Sequence, residues 1–107
     1  MRLALALLIA VVPVAVMAVP PRYDVGAYCR EIASLGGEYS GMMYDSCFDM
    51  EQSAYNNLRD RWDSLPGSMR SYCDEIATVG GSGSYMMLES CVQMEEDAAS
   101  SPNTFDY

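Results

Sequence analysis

The residues of this chain best suited to chemistry are four cysteines, nine methionines and fifteen acidic side chains. Histidine and lysine are both absent, which removes two common general bases. Cys29 and Cys47, like Cys73 and Cys91, are separated by 17 residues. Such gaps do not match the short C-x₂₋₄-C knuckles of structural zinc sites, and there is no C-x-x-C redox motif. Four cysteines in a small chain read instead as a disulfide framework with three possible pairings.

The methionines offer soft thioether ligands. Met42, Met43, Met86 and Met87 would be the set for a Cu(I) site, since soft ligands select soft metals. Without histidine or close M-x-x-M clusters, packing is the better reading. Met43, Met50, Met87 and Met94 fall on an apolar helical stripe, where adaptable side chains fill gaps around a disulfide. Glu51 and Glu95 sit between that stripe and an aromatic edge, where a charge is costly unless paired. Each is expected to extend to water, the alternative being a hydrogen bond from a neighbouring tyrosine or a contact with an arginine or a partner. Ser40 and Ser84 read as helix caps rather than nucleophiles. The Gly-Gly pairs follow no strand, so they are turns and not phosphate cradles. These features point to a non-enzymatic protein without a cofactor.

Charge narrows the partners. Six arginines face fifteen acids, a net charge of −9, which repels nucleic acid and anionic membrane surfaces. Arg2, the apolar run Leu3 to Val16 and the small-residue site Val16-Met17-Ala18 read as a signal peptide over residues 1–18. The run is short for a spanning helix and holds Pro13, so cleavage after Ala18 is expected over retention as an anchor. The expected address is exported, periplasmic or secreted, with no membrane contact after cleavage.

Organisation follows from a repeat. Tyr28–Ala54 aligns without gaps on Tyr72–Ala98, 44 residues later, with 15 of 27 positions identical. Each copy should be one supersecondary unit. Val25, Tyr28, Cys29, Ile32, Ala33 and Gly36 lie on one helical face, so a first helix is expected over about Val25 to Leu35. Asp24 is placed to cap it, with Ser68 as the counterpart in copy two. Gly36-Gly37 and Gly80-Gly81 stop the first helices, and Ser40 and Ser84 cap the second ones. The second helix of copy one carries Met43, Cys47, Met50, Ala54, Leu58 and Leu65 on one stripe, with Tyr44, Phe48, Tyr55 and Trp62 beside it. It is expected to run for roughly 36 Å to Leu65, where Pro66-Gly67 ends it.

Cys29 and Cys47 are each nine residues from Glu38, and Cys73 and Cys91 are each nine from Ser82. Equal distance from the turn puts the members of each pair at one depth of an antiparallel hairpin. The expected bonds are therefore Cys29–Cys47 and Cys73–Cys91, each closing a loop of about 19 residues and worth on the order of 3 kcal/mol. The fold class is all-α: two tandem disulfide-stapled helical hairpins forming a small four-helix domain. Its parts are hairpin one over 19–66, hairpin two over 67–99 and a flexible acidic tail over 100–107.

The distal stripe Tyr55, Leu58, Trp62 and Leu65 outruns the first helix of its own hairpin. Packing against copy two would cover it. Left uncovered, it would be the contact surface for a protein partner or for a homo-oligomer.

The unit Tyr-Cys-x-Glu-Ile-Ala-x-x-Gly-Gly, then Ser, then Ser-Cys-x-x-Met-Glu-x-x-Ala, covers residues 28–54 and 72–98. It resembles short exported bacterial proteins of unknown function with a Cys, Gly-Gly-Ser, Cys helical pattern. The resemblance implies a periplasmic or secreted setting and no particular activity. A likeness to Sel1-type helical repeats at Leu35-Gly36 with Tyr39 stops at copy two, where Val79-Gly80-Gly81-Ser82-Gly83 departs from it.

Overall fold

The computed structural model describes residues 6–11 and 19–107. Most of the expected signal segment, with its cleavage point after Ala18, lies outside the described residues. Four α-helices follow in order: α1 (Val25–Ala33), α2 (Gly41–Arg59), α3 (Gly67–Ala77) and α4 (Tyr85–Ser100). A 3₁₀ turn over Trp62–Ser64 lies between α2 and α3. No strand occurs among the described residues. Two antiparallel hairpins result, α1 with α2 and α3 with α4.

Local signals account for most of the boundaries. Asp24 Oδ1 accepts from the Ala27 N–H, and the Ser40 and Ser84 hydroxyls accept from the Met43 and Met87 N–H groups. Each bond satisfies a donor that the first helical turn leaves open. Gly37 and Gly81 take φ of +93° and +111° at the ends of α1 and α3, the left-handed conformation that glycine adopts at least cost. Copy two starts differently from the expectation. Pro66 occupies the N-cap of α3, and Ser68 lies inside the first turn with no capping bond. Proline's fixed φ and the absence of an N–H suit it to that entry.

Both expected disulfides are present, Cys29–Cys47 and Cys73–Cys91, with α-carbons 5.6 and 5.5 Å apart. All four cysteines are buried. A hairpin of two short helices has almost no interior, so the disulfide itself fills the space between them.

The second helix of copy one is shorter than expected. It stops at Arg59, because Arg61 leaves helical geometry at φ −131°, ψ 2°. The Ser64 hydroxyl donates to the Arg61 carbonyl and fixes the new turn. That break redirects Trp62 and Leu65 into the main core, with Leu58 and Ala54 of α2, Cys73 and Ala77 of α3, and Leu88 and Val92 of α4. A straight continuation of α2 would not have carried both side chains under α3.

The methionine expectation fails for the same geometric reason. Met43, Met50, Met87 and Met94 are all exposed rather than buried around the disulfides. The core lies between the hairpins, not inside them, and those four side chains face away from it.

The hairpins are joined by α2 and α4 in a parallel, staggered arrangement. Glu51 contacts Ser84 and Tyr85, which are 33 and 34 positions later, and Arg61 pairs with Glu96, 35 positions later. The repeat is 44 residues. Each α2 residue therefore meets a copy-two residue about ten positions earlier than its own counterpart, a slide of roughly 15 Å. A twofold relation would also place Glu95 on Ser40. No such bond forms among the described residues. The interface is head-to-tail, using different faces of the two copies.

Residues 19–24 add a strap across copy two. Pro20 is fully buried. The Tyr85 hydroxyl donates to the Pro21 carbonyl at 2.6 Å and accepts from the Tyr23 N–H at 2.9 Å. The Tyr23 ring stacks on Tyr85 with centroids 4.6 Å apart. Gly83 makes room for it, since a β-carbon there would fall 2.7 Å from Tyr23 Cγ, at φ +80°. Gly83→Ala should therefore cost about 1–3 kcal/mol, the range for a strained backbone position, with the ring clash added. Gly37→Ala, which would meet no atom within 4 Å, should cost only the conformational part. Urea denaturation of the two variants measures the difference.

Candidate functional site

A largely apolar concave surface is a cleft of about 380 Å³. Tyr28 of α1, Tyr72 and Ile76 of α3, and Met86, Met87 and Met94 of α4 line it, with Cys91 at the wall and Glu95 supplying a carboxylate. Tyr72 precedes Cys73, and Met87 and Met94 flank Cys91 along α4. The Cys73–Cys91 bond thus sets the spacing of the two main walls. Tyr28 carries hairpin one to the edge of the same cleft.

This lining is mostly apolar and aromatic. Aromatic faces and thioethers offer contact area with little directional demand, and methionine reshapes itself to irregular partners. The Ser84 and Ser90 hydroxyls also line it, and Ser84 donates to the Glu51 carboxylate. No group of three or more acidic, histidine or cysteine side chains is placed to hold a metal among the described residues. Of the four methionines considered for Cu(I), the structure brings Met86 and Met87 to the cleft. Met42, 80 % exposed, and Met43 do not line it.

The distal stripe occupies the core. Leu58, Trp62 and Leu65 are 0, 4 and 7 % exposed, and Tyr55 packs its ring edge-on to Tyr85, centroids 4.9 Å apart. In this conformation these residues contact copy two and leave little surface for a partner.

Glu51 is the polar centre of that interface, and it departs from the expectation that it extends to water. It is fully buried. Its carboxylate accepts from the Ser84 hydroxyl at 2.6 Å and from the Tyr85 N–H at 2.5 Å. Copy one thereby caps the α4 N-terminus, where open N–H groups and the helix dipole favour a negative charge. Its repeat partner Glu95 lies half-buried at the cleft. The clue in the sequence was position. Glu51 borders the Ala54–Leu58 stripe, and the stripe's own cover also had to cover Glu51.

Next to Glu51, burial raises the Tyr23 hydroxyl well above its ordinary pKa near 10, helped by its hydrogen bond to Asp74 at 2.6 Å. Burial also raises Tyr85. A raised phenol favours folding while it stays protonated. The benefit is complete below the unfolded value near 10 and declines as pH rises beyond it. Unfolding free energy should therefore fall above about pH 10. Tyr23→Phe should flatten that decline in urea titrations at alkaline pH, whereas Tyr39→Phe should not.

No family model, curated protein or solved structure matches the chain.

Proposed function

We propose that this is a small exported, non-enzymatic helical protein that acts through protein–protein contacts, with the methionine and tyrosine cleft as a contact surface. The observation carrying the proposal is the cleft itself. Six apolar or aromatic side chains from three helices converge on it, and an exposed apolar concavity on a small acidic protein marks a binding surface. Two disulfides fit an oxidising compartment, and the leading apolar run supplies the route there as a cleaved signal peptide. No helix among the described residues is long and apolar enough to cross a membrane.

A photo-crosslinking residue tests this in the exporting cell. Placed at Met87 or Ile76, it should give discrete protein adducts. Placed at Asp60 on the exposed end of α2, it should not. Absence of adducts from the cleft, or equal adducts from all three sites, would contradict the proposal.

A further inference from the structure

The two copies share a fold but not a fate, and the difference exposes a second surface. In copy two, Leu88 and Val92 of α4 are fully buried because the α2 stripe Ala54–Leu58 and Trp62 covers them. Their counterparts in copy one, 44 residues earlier, are Tyr44 and Phe48. Both helices begin one residue after an equivalent serine cap and are stapled at equivalent cysteines. Tyr44 and Phe48 therefore hold the same place on hairpin one that Leu88 and Val92 hold on hairpin two. They are less covered than Leu88 and Val92, although Tyr44 is half-buried beside Gly26 of α1. Phe48 is 41 % and Tyr39 59 % exposed. The rings of Tyr39, Tyr44 and Phe48 form a continuous ladder with centroids 6.2 and 6.1 Å apart.

We propose that this Tyr39–Tyr44–Phe48 face docks an amphipathic helix of a partner protein, carrying a small-residue and leucine stripe flanked by arginine. The chemistry of the occupant is read from the helix that covers the equivalent face within the chain. That helix presents Glu51, Ala54 and Leu58, and Arg61 follows in the turn after its end. Glu51 anchors on the Ser84 hydroxyl and Tyr85 N–H, for which copy one offers Ser40 and Gly41. Arg61 lies in a notch with Asn57, Glu89 and Gln93. Arg61 also pairs with Glu96. The copy-one counterparts of Glu89, Gln93 and Glu96 are Asp45, Asp49 and Gln52, so the notch keeps two acids and still favours a basic flank.

A second copy of the chain is a poor occupant. Its stripe from α2 is already buried. At the other end the counterparts of Leu58 and Trp62 are Pro102 and Asp106, beyond the end of α4 at Ser100. Copy two is thus blunted in the manner of a terminal repeat, while copy one keeps an aromatic face. This surface lies on hairpin one and is distinct from the cleft walled by α3 and α4.

The probe is a synthetic peptide of this chain's own residues 48–66, titrated by calorimetry into the oxidised full-length protein. One-to-one binding is expected. Tyr44→Ser with Phe48→Ser should weaken it by about tenfold or more, as should Glu51→Ala in the peptide, while Met87→Ser in the cleft should leave it unchanged. Asp45→Lys with Asp49→Lys changes only exposed side chains and should weaken it as well, so the test does not depend on one variant's folding. Absence of binding, or binding indifferent to both hairpin-one variants, overturns the proposal. Amide shifts at Leu88 and Val92 in place of Phe48 would show the peptide displacing α2 and would also overturn it. Concentration-dependent self-association lost in the Tyr44/Phe48 variant would assign the face to a second copy and overturn it equally.

Discussion

Trp62→Ala is expected to destabilise the protein by about 3–5 kcal/mol, the range for removing a buried aromatic. Trp62 is the only tryptophan and is almost fully buried. It enters the core from the 3₁₀ turn, so two features depend on it. The turn after Arg59 exists to aim it inward, and the α2 stripe meets α3 and α4 around it. The core is small, and a domain of this size is stable by only about 5–15 kcal/mol. The variant should separate the hairpins while leaving both disulfides formed. Far-UV circular dichroism through a urea titration reads the loss. Met42→Ala, on an exposed side chain of α2, should stay within about 0.5 kcal/mol.

Glu51→Ala should cost about 2–5 kcal/mol, because it leaves two donors in a dry interface without an acceptor. A buried donor without its partner costs about 1–3 kcal/mol, and here the Ser84 hydroxyl and the Tyr85 N–H both lose theirs. Glu51→Gln keeps the shape and one acceptor oxygen, and its cost should be smaller. The Glu51→Ala and Ser84→Ala changes should not add. Once the carboxylate is gone, removing the hydroxyl also removes an unsatisfied group, so the double variant should be less damaged than the sum. Strict additivity in that cycle would mean that the two groups do not interact.

These two residues also show how far the sequence could be read. The hairpins and their disulfides were legible because the repeat reduces the problem to one unit. Within it, equal spacing of Cys29 and Cys47 about Glu38 fixes their depth, and serine caps and glycine stops mark the ends. The join between hairpins was legible only in part: the stripe of Tyr55, Leu58, Trp62 and Leu65 pointed to copy two, but its break and stagger were not. Periodicity assigns a face to Trp62 only while the helix continues, and no proline or glycine warns that the chain turns at Arg61. Glu51 was read by its charge, which favours water, although its position beside Ala54 and Leu58 placed it under the same cover. The methionines were misplaced through the assumption that a stapled hairpin encloses a core. At 5.5 Å between α-carbons, the disulfide leaves no space for side chains, and Met87 and Met94 turn outward to line the cleft.

The stagger between copies links fold to proposed function. A head-to-tail interface leaves each copy's unused face open. In copy two that face is ended by Ser101, Pro102 and the polar tail, whereas copy one retains Tyr39, Tyr44 and Phe48. The chain behaves as a short repeat array with one end closed and one end available.

The most direct test of the account is a tryptic map of the unreduced, alkylated protein recovered from the exported fraction. The account predicts a chain beginning at Val19 with no alkylated cysteine. Cleavage at arginine should then leave two signatures. Peptide 23–30 should be joined to peptide 31–59 through Cys29 and Cys47, and peptide 71–107 should stand alone, lighter by two hydrogens through its internal Cys73–Cys91 bond. Alkylated thiols, or peptide 71–107 tied to either of the others, would contradict it.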